Sequence, residues 1–331
     1  MPKLVPTINA GEPINSSELN ICYCLDKHYI TPFIVSLTSL ITNLKKGAKL
    51  KVFVIYDEID ENTISKIVHN FSKPNINIQF IDVGIYKYCL DIENPQVYNK
   101  LTSHFNQSLF LRIYIPYLLP KEIDKVIYLD CDTLVLRDIS CLWQVNLNEK
   151  FLGAIPEPIT LHNDLSIMRM REFEFALTQE YFNSGVLYMN LKRIRNMDII
   201  PLAIFYNKKF KLPYADQDIL NLIFKDYLML EPKYNSILVR GSPLGIAYLK
   251  SYVTLGRANI FSQNQVKESI DFPVILHFIT SEKPWLYPGV FYLHKNTWWK
   301  YFNMSFLKTN DSMQVYALLE AEFKEFLKKR L

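Results

Sequence analysis

Glycine is scarce in this chain, nine residues in 331, and no low-complexity tract or internal repeat runs through it. That excludes a collagen-like or disordered protein and leaves the composition of a globular one, with a large core available from 49% hydrophobic residues. Cysteines are few and odd in number: Cys22, Cys24, Cys89, Cys131 and Cys141, with no CxxC pair. Zinc-ribbon spacing is therefore missing, and the set fits a reducing compartment. Cys22 and Cys24 stand at i and i+2 of a strand-like run, as core thiols on one face would. No stretch approaches 18 uninterrupted apolar residues, and the polar, Pro-interrupted opening lacks the apolar core of a secretory signal. The expectation is a cytoplasmic protein without a membrane span. The net charge of +4 is too small to argue for nucleic acid, and three of the four excess positive charges lie after Phe291.

What is present is a series of short apolar runs: "LNICYCL" (19–25), "LKVFVIY" (50–56), "INIQFID" (76–82), "KVIYLD" (125–130), "FLGAIP" (151–156) and "FPVILHFI" (272–279). Each reads as a strand covered on both faces. Helix-like stretches lie between the early ones: "TPFIVSLTSLITNL" (31–44), with Thr31 as N-cap and Pro32 at the first helical position, and "DENTISKIVHNF" (60–71). Strand and helix alternate, so the fold class is α/β, a Rossmann-like, mostly parallel, doubly wound sheet. Ligands of such sheets bind outside the carboxyl ends of the strands.

The chemistry is concentrated at those ends. The first strand runs into "LDKHY", with Asp26, His28 and Tyr29. The strand at 125–130 runs into Asp130 and Asp132, two acids that an extended backbone would present on one side. Paired carboxylates repel unless a cation stands between them, and oxygen ligands at this spacing suit Mg²⁺ or Mn²⁺ with a substrate phosphate. One alternative is a turn capped by Asp132-Thr133 with a solvated Asp130. Another is a haloacid-dehalogenase-type phosphohydrolase, whose DxDGT has its threonine two residues beyond the second Asp, whereas here Thr133 follows directly and Leu134 takes that place. His277 ends an apolar run and is either a satisfied core residue or the ligand that completes a carboxylate-bound metal. Lys283, next to Pro284 and Trp285, is a fixed cation suited to phosphate. In "YFNSGVLYMNLKR", Asn183 and Gly185 offer an amide and a close backbone approach to a sugar hydroxyl. In "YADQDILNLIF", Asp216, Gln217 and Asp218 stand before a helix, where acids also favour the dipole.

Taken in order, "LDKHY", "LFLRIYIPYLLP" with Arg112, "VIYLDCDTLV", "YFNSGVLYMNLKR", "YADQDILN" and "LHFITSEKPW" resemble glycosyltransferase family 8, over roughly residues 20–300. The resemblance implies a GT-A fold and a retaining enzyme that moves galactose or glucose from UDP-galactose or UDP-glucose to a saccharide or lipid-linked oligosaccharide acceptor, as in lipopolysaccharide core synthesis. It implies that Asp26, His28 and Tyr29 hold the uracil and that Arg112 and Gly185 belong to the donor site. It further implies that Asp130, Asp132 and His277 bind Mn²⁺ or Mg²⁺ and that Lys283 meets a phosphate oxygen. Asn183, Asp216, Gln217 and Glu157 would surround the transferred sugar and the acceptor. The family's HxxGxxKPW reads here with Thr280 in place of Gly, and His28 replaces a common Asn. A non-catalytic sugar-nucleotide or glycan-binding module stays open beside the enzyme.

The expected organisation is an N-terminal extension (1–18), a catalytic domain (19–290) and an aromatic, basic helical tail (291–331). In the tail, Val315, Leu318, Leu319, Phe323, Phe326 and Leu327 recur at helical spacing before Lys328, Lys329 and Arg330, with "NTWWKYF" upstream. Such a helix suits either a peripheral contact with an anionic membrane through aromatic anchors or docking on the domain.

Overall fold

The computed structural model describes residues 18–83, 110–157, 181–210, 212, 214–237, 261–279, 283–285 and 294–328. Thr280, Cys89 and the extension before Glu18 lie outside these ranges. The strands are β1 (Glu18–Asp26), β2 (Lys49–Asp57), β3 (Ile76–Asp82), β4 (Lys125–Leu129), β5 (Thr133–Val135), β6 (Leu152–Pro156), β7 (Phe182–Asn190), β8 (Leu228–Met229), β9 (Ser236–Ile237) and β10 (Ile275–His277). The helices are α1 (Ile30–Asn43), α2 (Glu61–Phe71), α3 (Leu111–Leu118), α4 (Ser140–Trp143), α5 (Leu191–Ile194), α6 (Ile199–Lys209), α7 (Ala215–Ile223), α8 (Gln263–Asp271), α9 (Lys295–Met304) and α10 (Asn310–Lys328). Two compact units interleave along the sequence: one drawn from 1–28, 46–130 and 143–230, the other from 29–45, 131–142 and 231–331.

The first unit is built on a seven-stranded sheet in the order β3-β2-β1-β4-β7-β6-β8. Strands β3, β2, β1 and β4 are parallel, β7 runs antiparallel to β4 and β6, and β8 is parallel to β6. The apolar runs are continuous because helices cover the sheet: Ile21, Cys22 and Tyr23 of β1 and Val52 to Ile55 of β2 have no exposed surface. Helix α2 buries one stripe, Ile64, Ile67 and Phe71, and starts where Asp60 accepts the Thr63 N–H at 2.9 Å. A side chain on Gly153 of β6 would meet the ends of Leu147 at 3.1 Å and Leu230 at 3.2 Å, so these leucines would have to give by a few tenths of an ångström. Between Gly153 and Ile155 the ladder with β7 shifts register.

The second unit holds a three-stranded sheet, β5-β10-β9, with β10 antiparallel to β5 and parallel to β9. Only three residues of "FPVILHFI" are strand, because the neighbours β5 and β9 are three and two residues long and offer no further ladder. Helix α1 begins at Ile30 after Tyr29, not at Thr31, and has no side-chain cap. Pro32 is tolerated in the first turn, where no intrahelical N–H partner is lost. The core joins Val35, Leu134, Leu276, Phe278, Trp298 and Tyr301. Ser39 Oγ accepts the Val135 N–H at 2.8 Å, and Asn43 Nδ2 donates to Val135 O at 3.0 Å and to the Tyr301 hydroxyl at 2.7 Å, so α1, β5 and α9 are tied together.

Two of the tail aromatics are buried in the second unit. Trp298 is 1% exposed and packs on Trp285 with centroids 5.4 Å apart. Trp298 and Tyr301 are core residues rather than surface anchors. Helix α10 docks on α9 through buried Leu319 and half-buried Val315 and Phe323, with Asn296 Nδ2 donating to Glu320 at 2.7 Å. Leu318, on the other side, is 67% exposed. Phe326 and Leu327 lie outside the described side chains. Among the described residues no helix is long and apolar enough to cross a membrane.

Candidate active site

In the first unit, the parallel strands run out into acids: Asp26 ends β1, Asp57 ends β2, Asp82 ends β3, and Asp130 follows β4. The strand order turns back between β1 and β4, which is where a doubly wound sheet opens a crevice for ligand. Asp26 is buried and accepts the His28 N–H at 2.7 Å, an Asx-type turn at the strand end. His28 is exposed. Tyr29, in the second unit, is 37% exposed, its ring edge-on to Trp285 at 6.3 Å.

Arg112 is the hub of the first unit's cluster. It opens α3 beside Leu111 and is almost wholly buried, yet its guanidinium finds partners on every side. Nη2 lies 3.0 Å from Asp130 Oδ1, Nε lies 2.9 Å from Asp216 Oδ2, and Nη1 donates to Ser184 O and Ser184 Oγ, both at 3.0 Å. The plane lies over the Tyr128 ring, 4.9 Å from its centroid, and the Tyr128 hydroxyl donates to Asp130. Burial would lower the Arg112 pKa, but Asp130 and Asp216 hold it well above the ordinary value. The fork geometry thus fixes two carboxylates at once. Asp130 is gripped at the backbone as well, its N–H donating to Gly185 O at 2.8 Å. Burial pushes the Asp216 carboxyl up to about 6; Arg112 pulls it down, and Asp130 adds to the rise.

A second network in the same unit orients the amides. Gln217 Oε1 accepts from the Ser184 N–H at 2.9 Å, from Asn183 Nδ2 at 3.2 Å and from Ser184 Oγ at 3.3 Å. Asn183 Nδ2 also donates to Glu157 Oε2 at 2.7 Å, while its Oδ1 accepts the Gly185 N–H at 3.0 Å. Because backbone N–H groups can only donate, these contacts fix which end of each amide is oxygen. The Tyr181 hydroxyl donates to Asp218 Oδ1 at 2.6 Å, and the other Asp218 oxygen accepts the Tyr214 N–H at 2.9 Å. Burial, with Asp218 beside it, raises the Tyr181 phenol well above its usual range. Glu157, Asn183, Gly185, Asp216 and Gln217 are thus brought together.

Asp132 lies in the second unit, in a turn between β4 and β5. Residues 130–132 are not extended, so the strand alternation expected of the two acids does not apply, and each carboxylate has its own cation. For Asp132 it is Lys283, whose Nζ lies 2.5 Å from Oδ2 and also donates to Phe278 O. Asp132 Oδ1 faces His277 Nε2 at 3.2 Å, but this buried oxygen finds no hydrogen-bond donor. On the other edge of the ring, His277 Nδ1 lies 3.0 Å from Asn235 Oδ1. Burial alone would raise the Asp132 carboxyl; the Lys283 charge, with His277 beside it, outweighs that and holds Asp132 well below the usual carboxylate range. Strand β10 brings His277 here through its pairing with Thr133, and the Phe278 N–H donates to Asp132 O at 3.0 Å.

Sequence reasoning did not single out Ser184, Tyr128, Tyr181 or Asn235. Ser184 and Tyr181 lie inside a quoted motif, and the signal for them was the density of polar residues in a strand with no solvent face. Asn235 carries no local signal, since it sits 42 residues from the histidine it meets.

The model of the family described as glycosyl transferase family 8 matches residues 20–289. General stress protein A of Bacillus subtilis is 28% identical over 276 residues, 81% of this chain and 87% of that protein. Lipopolysaccharide 1,2-glucosyltransferase of Escherichia coli is 27% identical over 299 residues, 87% of this chain and 81% of that protein. Among solved structures, galactosyltransferase LgtC in complex with donor and acceptor sugar analogues has a TM-score of 0.70 at 21% identity, covering 90% of this chain and 100% of its own, and shares the GT-A fold. With a match spanning most of its length, the chain belongs to glycosyl transferase family 8.

Proposed function

We propose that this glycosyltransferase is metal-dependent and retaining, and moves galactose or glucose from a UDP-sugar to a saccharide acceptor of the lipopolysaccharide-core kind. The observation that carries the metal is Asp132 Oδ1, a buried carboxylate oxygen without a donor, 3.2 Å from a histidine nitrogen. Asp130, two residues before Asp132 in the chain, is the third ligand of this reading. Two carboxylates and an imidazole fit Mn²⁺ or Mg²⁺ that shares its remaining positions with phosphate oxygens. Bound there, the ion would offset the charge that collects on the departing diphosphate.

The chain's own residues supply the rest. Asp26 accepts the uracil N3–H, His28 lies beside the nucleotide, and Tyr29 stacks on the base. Lys283 leaves Asp132 for a phosphate oxygen. Arg112 holds Asp130 and Asp216 in place rather than spending its donors on substrate, and Gly185 serves by pinning Asp130. Asp216, Asn183 and Glu157 take sugar hydroxyls. Gln217 has its amide oxygen occupied by the Ser184 N–H, which disfavours it as a nucleophile and supports attack by the acceptor on the face the leaving group departs from. The names of the Escherichia coli glucosyltransferase and of LgtC support a hexose donor and a lipid-linked acceptor. The exposed Met304, Phe306, Met313 and Leu318 of the tail, in a segment rich in lysine, support a peripheral contact with the cytoplasmic membrane surface.

The test is UDP release from UDP-galactose and UDP-glucose with Mn²⁺, with Mg²⁺ and with chelator, repeated for Asp130→Ala and Asp132→Ala, with the product anomer read by NMR. Turnover unchanged in both variants would end the metal reading, and phosphate release from a phosphomonoester would favour the phosphohydrolase. Nucleotide binding without turnover across donors would favour the binding module. Vesicles with and without anionic lipid, offered to wild type and to Leu318→Ser, test the tail.

A further inference from the structure

Asn235 has no exposed surface and ends a short 3-10 turn, Pro232–Asn235, that leads into β9. The turn is held from both sides: the Val274 N–H donates to Lys233 O at 2.9 Å, and Ser236 Oγ donates to Ser269 O at 2.7 Å. Beside it, β9 and β10 pair with Ile237 opposite His277. Asn235 Oδ1 therefore meets His277 Nδ1 at 3.0 Å from a fixed position. An amide oxygen only accepts, so Nδ1 carries a proton, and whenever the ring is neutral its Nε2 lone pair faces Asp132 Oδ1, 3.2 Å away. Two acceptors facing each other in a buried site repel, and a cation between them removes the repulsion.

We infer that Asn235 is a positioning residue: it selects the Nδ1–H tautomer of His277 and keeps Nε2 open for a divalent ion, an inference that rests on the ion site proposed above. Outer groups that bind the far nitrogen of a metal-ligating histidine set its tautomer and ring angle, and their loss typically costs 10–100-fold in metal affinity. Without Asn235 the ring is free to adopt the Nε2–H form and donate to Asp132, which consumes two ligand atoms in one hydrogen bond.

The experiment measures two things on the full chain without nucleotide. Long-range ¹⁵N–¹H NMR at pH 8, metal-free, reads the His277 tautomer, and electron paramagnetic resonance of free Mn²⁺ reads affinity. Wild type is expected as Nδ1–H. Asn235→Leu should switch to Nε2–H and bind Mn²⁺ roughly 10–100-fold more weakly, and Asn235→Asp, which restores an acceptor, should return both. An Nε2–H form in wild type overturns the inference, as does Asn235→Leu binding Mn²⁺ with wild-type affinity. A wild type in the Nδ1–H form that binds no Mn²⁺ overturns the ion site itself, and with it the role of Asn235 there. If Asn235→Leu does not fold, the wild-type tautomer and the Asn235→Asp affinity still decide, since a residue that matters only for packing predicts no fixed tautomer.

Discussion

Removing a positive charge next to a cation site should make the site bind its cation more tightly. Lys283 provides the case. Its Nζ lies 2.5 Å from Asp132 Oδ2, with only 10% of the lysine side chain and 12% of the aspartate exposed, and it shares a second bond with Phe278 O. A divalent ion taking Asp132 has to share that carboxylate with the ammonium or displace it. Two unit charges about 4 Å apart at an effective dielectric of about 20 repel by about 4 kcal/mol, and a divalent ion doubles that. The lysine relaxes by leaving Asp132, so a fraction of the repulsion survives. Even 1.4–2.8 kcal/mol, about a third of it or less, corresponds to about 10–100-fold in affinity. Lys283→Met should therefore bind Mn²⁺ about 10–100-fold more tightly than wild type in the absence of nucleotide, at low salt and pH 8. The sign reverses for UDP in the presence of Mn²⁺, which should bind more weakly because a phosphate oxygen loses its cation. Titration calorimetry measures both. Equal or weaker Mn²⁺ binding by a folded Lys283→Met would refute the idea that the lysine competes with the ion.

Arg112→Met strips the partner from buried Asp216 and half-buried Asp130, and breaking a buried pair costs about 3–5 kcal/mol, to be read from urea unfolding; a loss under about 1 kcal/mol would show the cluster to be wet. Asp216 titrates at about 6 when folded against 3.8 ordinarily, so its contribution to stability is full below about pH 4 and is lost as pH rises through about 6, on the order of 3 kcal/mol across that window for the metal-free protein. Asp216→Asn should flatten the stability curve between pH 4 and 6; the depressed Asp132 acts with the opposite sign and below that range, its stabilisation falling away as acid protonates it. Trp298→Ala should cost about 3–5 kcal/mol as a core deletion, whereas a lipid anchor would leave the melting temperature unmoved and change only vesicle binding.

Much of the first unit was legible because its strands obey one rule. A strand covered on both faces reads as a nearly continuous apolar run, as β1, β2, β4 and β6 do, while β3 alternates around Asn77 and Gln79, and all five could be found within one or two residues of their ends. The acids at the carboxyl ends stood out for the same reason: a charge that closes an apolar run either reaches water or serves a ligand. The stretch "FPVILHFI" misled because its apolar character reflects burial in the second unit's core, where only three residues find a ladder. The tail was left open between docking and membrane contact for a related reason. Helical spacing of Trp298 and Tyr301 records an apolar stripe without saying what covers it, and here α1 and β5 do.

The site shows a limit of a different kind. Two acids one residue apart imply a cation in the sequence, but not which cation neutralises which acid before substrate arrives. Asp130 has Arg112, 18 residues earlier, and Asp132 has Lys283, 151 residues later. The two cations are not equivalent. Arg112 spreads its donors over Asp130, Asp216 and Ser184, so to release one partner it must unmake a network of buried bonds. Lys283 holds Asp132 through one flexible ammonium whose other bond is to a backbone carbonyl. A guanidinium shared among three partners beside Asp130 and a single ammonium beside Asp132 set the two acids apart: Asp130 is gripped at side chain and backbone, whereas Asp132 is the acid that, on the proposed reading, a metal would take over from its lysine.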